Sequence, residues 1–131
     1  KYFSPISTDM MIPSMGQATL GIETTNDPRI VELVSVLNDK DAHIESTIER
    51  SFVDTLQGGC QVPIGVKATI IDENSIRVQA IVGMPDGSES ISEDITANIE
   101  EFETIGQTLA QTFLDQGARE LLDRAEKLAF K

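Results

Sequence analysis

The chain has 131 residues, which suits about one domain, and its 40% hydrophobic content can build one core, with one tyrosine and no tryptophan in it. Ten basic and 22 acidic side chains leave a net charge of −12, and such a surface repels phosphate backbones, anionic lipids and polycarboxylates. One cysteine makes no internal disulfide, one histidine adds too little for a zinc set, and no apolar run nears the ~20 residues of a membrane helix, so a reducing, cytoplasmic setting fits.

In chain order, residues 1–12 carry no strong pattern, and Lys1-Tyr2-Phe3 is not a secretory start. The missing initial methionine is expected of a piece cut from a longer chain. Ala18-Thr19-Leu20-Gly21-Ile22, bounded by Gly16 and by Thr24-Thr25-Asn26, reads as a strand within residues 17–23. A lone strand is unstable, so it is expected to stand detached from the rest. Met10, Met11 and Met15 would add an apolar patch that favours self-association.

Asp27-Pro28 predicts a helix start, with Asp as cap and Pro in the first turn. Ile30, Leu33, Val34 and Leu37 fall on one face of that helix, and Asn38 stops it. Asp39 or Asp41 opens a second helix with Ile44, Ile48, Phe52 and Leu56 on its apolar side. Glu45, Glu49, Arg50 and Asp54 are expected on the opposite side, and Gly58 at its C-terminal cap.

Val66, Ala68 and Ile70 alternate, Asp72-Glu73-Asn74 turns the chain, and Ile76, Val78, Ala80 and Val82 alternate again. Pro85-Asp86-Gly87 is a second turn, and Ile91 with Ile95 marks a more polar edge strand. Asn98 with Glu101 resembles a capping box ahead of a helical face of Phe102, Ile105, Leu109 and Phe113. Gly117 breaks the pattern before a last helix carrying Leu121, Leu122, Ala125 and Leu128. The prediction is an α+β fold: a three-stranded antiparallel meander with helices on one face, in the helix–three strands–helix order of double-stranded-RNA-binding modules, preceded by the detached strand.

The chemistry-bearing stretch is Gln57-Gly58-Gly59-Cys60-Gln61-Val62-Pro63-Ile64-Gly65. Its glycines and proline shape a loop around the only cysteine. No Lys or Arg lies between Arg50 and Lys67, and a helix C-terminus does not favour a thiolate. Cys60 therefore suits a single alkylation by a soft carbon electrophile better than repeated catalysis.

Gly-Gly-Cys-Gln-Val-Pro-Ile-Gly resembles the cofactor-attachment loop of the hydroxymethylbilane synthase (porphobilinogen deaminase) family. Further likeness lies in Pro13-Ser14-Met15-Gly16-Gln17 with Gly21-Ile22-Glu23, in Gly83-Met84-Pro85-Asp86-Gly87-Ser88 and in Gly117-Ala118-Arg119-Glu120. These landmarks are similar to the family's C-terminal part. The resemblance implies a transferase of tetrapyrrole and heme biosynthesis. Such enzymes polymerise four porphobilinogen units into hydroxymethylbilane with release of ammonia, on a dipyrromethane primer held as a thioether. That implies Cys60 as the anchor and places Gln17 near the cofactor cleft. It also implies residues 1–25 as a segment completing an absent N-terminal domain and hinge, and residues 26–131 as the cofactor-attachment domain. The parent is expected to be a monomer. No match for the family's catalytic aspartate or substrate-binding arginines occurs, so the chain alone is expected to be inactive, with a free Cys60 thiol and no metal. Ala18 and Thr24-Thr25 depart from the family's usual Gly after Gln17 and Arg after Glu23.

Two other functions were open. An RNA-binding module needs basic side chains over phosphates, but Lys67 and Arg77 stand isolated in an acidic sequence. A redox or metal domain lacks a second cysteine. His43, the pairs Asp72-Glu73 and Glu100-Glu101, and Asp86 read as surface, turn and cap residues, and Arg119 with Glu120 as a local ion pair.

Overall fold

The computed structural model describes residues 2–57 and 63–129. Helix α1 spans Pro28–Ser35, and Asp27 caps it by accepting from the Arg29 N–H at 3.0 Å. Its apolar stripe finds no core: Leu33 is 70% and Leu37 65% exposed. Helix α2, Lys40–Leu56, starts at Asp39, whose carboxylate accepts from the Ala42 N–H at 2.9 Å. Ile44, Ile48, Phe52 and Leu56 are buried at the expected four-residue spacing.

Strands β1 (Ile64–Ile70), β2 (Ser75–Gly83) and β3 (Ser90–Asn98) form an antiparallel sheet in that order. Val66 pairs with Ala80, Ala68 with Val78, and Val78 with Ile95. Both turns are tied by their own aspartates: Asp72 accepts from the Asn74 N–H, and Asp86 from the Ser88 N–H and hydroxyl. β3 alternates half-buried and exposed residues, as an edge strand should. Asn98 caps a 3-10 turn, Ile99–Glu101, by accepting from the Glu100 N–H. Helix α3, Phe102–Asp115, begins only after that turn, and Gly117 at φ +94° separates it from α4, Ala118–Ala129.

The helices cover one face of the sheet, with α2 against β1 and α3, and α4 against β2. Val66, Ala68, Ile76, Val78, Ala80 and Val82 point into that layer and are fully buried. Burial of each of the four larger side chains, Val66, Ile76, Val78 and Val82, stabilises by about 1.5–3 kcal/mol, and of the two alanines by less. The rings of Phe52 and Phe113 meet edge-on at 5.0 Å, which locks α2 to α3.

Residues 9–16 cross the other face as a strap. Asp9 accepts from Arg77 at 2.8 Å and from Gln79 at 3.2 Å, and Gln79 is buried there. The expected strand in residues 17–23 does not form. Gly16 and Ala18 both take positive φ and turn the chain away, and Leu20 and Ile22 stay exposed. A strand there would also need a free sheet edge. The β1 edge is already occupied: the Val66 N–H donates to Pro13 O, Ala68 N–H to Glu49 and Ile70 N–H to Glu45.

Candidate functional site

The cysteine loop hangs between two firm ends. Helix α2 closes at Gln57, whose left-handed backbone (φ 52°, ψ 36°) lets its N–H bond back to Val53 O and Asp54 O. The cap is thus Gln57 and not the expected Gly58. On the far side Pro63 O accepts from the Gly83 N–H at 3.1 Å, and β1 begins at Ile64. Cys60 and Gly58 lie outside the described residues. The two ends are held by the buried cluster of Leu56, Val66 and Val82.

Gln17 sits exposed in the turn that follows the strap. Its N–H donates to Ser14 O, its side-chain oxygen accepts from the Ser14 hydroxyl, and the Thr19 N–H donates to Gly16 O. Ala18, at φ 69°, stands in the left-handed conformation that glycine adopts without strain. An open groove of about 840 Å³ runs beside this turn, lined in part by Met15, Leu20, Val34, His43 and Arg50. His43 packs edge-on against Phe102 at 6.3 Å and has no metal partner at hand: among the described residues no group of three His, Cys, Asp or Glu side chains converges.

The sequence reading placed Glu49 on the solvent side of α2, and the structure reverses this. Glu49 is only 3% exposed. One oxygen, Oε2, accepts from the Gly16 N–H at 2.7 Å. The other, Oε1, accepts from the Ala68 N–H at 3.0 Å and from Lys67 Nζ at 3.3 Å. Glu45, half-buried, takes the Ile70 N–H at 3.2 Å and Lys67 Nζ at 2.9 Å. A buried carboxylate is tolerated only when paired and hydrogen-bonded, and Glu49 meets both conditions. A usable signal was present: Glu49 lies three residues before Phe52, on the flank of the apolar stripe, with Glu45 one turn earlier and Lys67 entering the next strand.

Lys67 and Arg77 are likewise not isolated. Burial draws the Lys67 ammonium down, but the Glu45 hydrogen bond and the Glu49 and Glu45 charges outweigh it and raise its pKa above the ordinary value. Arg77 bridges Asp94 and Asp9, and the Arg77 hydrogen bond holds the Asp94 carboxyl below its usual range. Arg124 pairs with Glu89, whereas the expected pair of Arg119 with Glu120 is absent among the described residues. Cations spent on local carboxylates do not form a phosphate-binding surface. No helix among the described residues is long and apolar enough to cross a membrane.

The family model for the C-terminal domain of porphobilinogen deaminase matches residues 43–115, more than half of the chain. The chain is 83% identical over its full 131 residues to a porphobilinogen deaminase of Aliarcobacter butzleri, covering 42% of that relative. It is 50% identical over 131 residues to the Nitratiruptor protein of that name, again covering 42%. With the Sulfurimonas denitrificans protein the identity is 48% over 128 residues, which is 98% of this chain and 41% of the relative. The chain therefore spans about two fifths of the length of the curated relatives it matches.

Proposed function

The chain belongs to the porphobilinogen deaminase family, as its C-terminal domain, and from this we propose that it is the part of a cytoplasmic hydroxymethylbilane synthase that tethers a dipyrromethane primer through Cys60. The observation that carries the reading is the run Gly58-Gly59-Cys60-Gln61-Val62-Pro63-Ile64-Gly65, seated between the end of α2 and the start of β1. A tether needs a nucleophilic sulfur and ends that do not yield, and Gln57 and Pro63 are both bonded into the domain.

When bound, the primer supplies the pyrrole end to which porphobilinogen is added with loss of ammonia. This chain's own residues do the holding. Cys60 provides the bond, the helix layer fixes the loop ends, and Gln17 lies in the turn beside the groove. Most of the primer's carboxylates would have to be met by the rest of the parent enzyme, since Lys67, Arg77 and Arg124 already face acidic partners and Arg50 is the one Lys or Arg lining the groove among the described residues. We assign the same remainder to the exposed face formed by residues 17–25 and α1, where Leu20, Ile22, Leu33 and Leu37 lie uncovered.

Intact-mass measurement tests the tether. The active full-length parent is expected to carry a dipyrromethane adduct that Cys60→Ala removes together with turnover. This chain alone is expected to carry a free thiol and release no ammonia from porphobilinogen. A bare sulfur in the active parent, or full turnover in Cys60→Ala, overturns the reading.

A further inference from the structure

Glu49 is the one deeply buried carboxylate among the described residues, and neither the tether nor the groove accounts for it. Its three donors come from two separate stretches of chain: Gly16 in the strap, and Lys67 and Ala68 in β1. Glu45, one turn away on the same helix, also takes a strand-edge N–H and Lys67 but has no bond to residues 1–25, and it remains half-buried. What distinguishes Glu49 is Oε2, which is given to the Gly16 N–H and makes the shortest contact of the three.

We propose that Glu49 is a positioning residue that fixes the Gly16–Gln17 turn against the helix leading to the cysteine loop. From Glu49 the helix runs on about 10 Å to Leu56 at ~1.5 Å per residue. The carboxylate thus sets how the turn bearing Gln17 stands relative to the element that delivers Cys60. A charged acceptor suits the task, because bonds to an ionised group are shorter and stronger than neutral ones. An amide cannot replace it: with its oxygen on one backbone N–H, its NH2 would oppose the donors at the other end. The functional half of this inference rests on the tether reading above; the structural half does not.

Two measurements separate these halves. In this chain, Glu49→Gln is expected to speed hydrogen exchange at the Gln17 and Thr19 amides by about tenfold or more, while the Val78 and Ala80 amides keep wild-type protection. Glu45→Gln, whose side-chain oxygens bond to Lys67 and Ile70 and to no residue of 1–25, is expected to leave the turn unchanged. Should Glu49→Gln not fold, Gly16→Ala probes the contact from the other end. No atom lies within 4 Å of the added Cβ, and only the φ of +65° is strained, so the turn alone should open. In the full-length parent, Glu49→Gln or Gly16→Ala is expected to lower kcat about tenfold with KM near wild type and the Cys60 adduct still attached. Unchanged exchange at the turn, equal loss of protection throughout the core, or wild-type kcat in an active parent overturns the proposal. A wild-type parent without turnover sinks the tether reading instead and leaves the exchange result to decide the coupling.

Discussion

Gly106 of α3 lies directly over Ile48 of α2: a Cβ placed on Gly106 would stand 2.3 Å from the Ile48 carbonyl oxygen and 2.9 Å from the Phe52 nitrogen. Both obstacles are backbone, so neither can swing aside. Gly106→Ala must push the helices apart and disturb the contact of Phe52 with Phe113. The expected loss is about 1–3 kcal/mol or more, seen as a lower urea midpoint for this chain. An unchanged midpoint would mean that the two helices are not so closely packed.

Gly65→Ala strikes at a different place. Its Cβ would lie 2.8 Å from the Ile12 carbonyl oxygen, so the strap should lift while the core stays folded. Limited proteolysis is expected to cut residues 2–13 faster, with far-ultraviolet circular dichroism unaltered.

Ala18→Gly should act in the opposite sense. The left-handed backbone of Ala18 (φ 69°) carries a strain of about 1–2 kcal/mol, part of which is offset by the greater freedom of glycine in the unfolded chain. Slower exchange at the Thr19 amide, which donates to Gly16 O, is the expected sign. Faster exchange would contradict the assigned conformation.

The pH dependence follows from Lys67. Its folded pKa lies above the ordinary 10.5, so the folded state holds that proton more tightly than the unfolded chain. The stabilisation is complete below about pH 10.5 and is lost as pH rises through the higher folded value. Thermal unfolding from pH 9 to 12 should therefore show a falling Tm, less steep in Lys67→Met. Equal slopes would remove Lys67 from the account.

Exposed Leu33 and Leu37, with Leu20 and Ile22 nearby in sequence, are expected to make the isolated chain self-associate. Sedimentation should give a mass that rises with concentration, and Leu33→Glu with Leu37→Glu should suppress it. A wild-type chain that remains monomeric at every concentration would count against an apolar docking face.

Much of the fold could be read directly from residue spacing. The four-residue repeat from Ile44 to Leu56 and the two-residue alternation from Val66 to Val82 identify the buried faces correctly, because one-sided burial imposes those periods. The Asp27, Asp39 and Asp86 caps and turns were equally legible, since each acts within a few residues. Burial of Glu49 was not legible: its donors belong to residues 16, 67 and 68, and a free strand edge exists only once the sheet has formed. Nor could pattern alone reveal that the α1 stripe stays uncovered, because an amphipathic helix looks the same whatever it is meant to meet. The assignment of Cys60 as the tether rests on its motif, and the residue lies outside the described residues.

The carboxylates along β1 also decide from which side this sheet can be lengthened. Their occupation of the Ala68 and Ile70 N–H groups, with Pro13 on Val66, leaves an incoming extended peptide no donors there to zip onto. Recruitment of a foreign strand, and with it any ordered fibril, is directed to the β3 border. There Glu93 and Asp94 would set like charges side by side in every added copy.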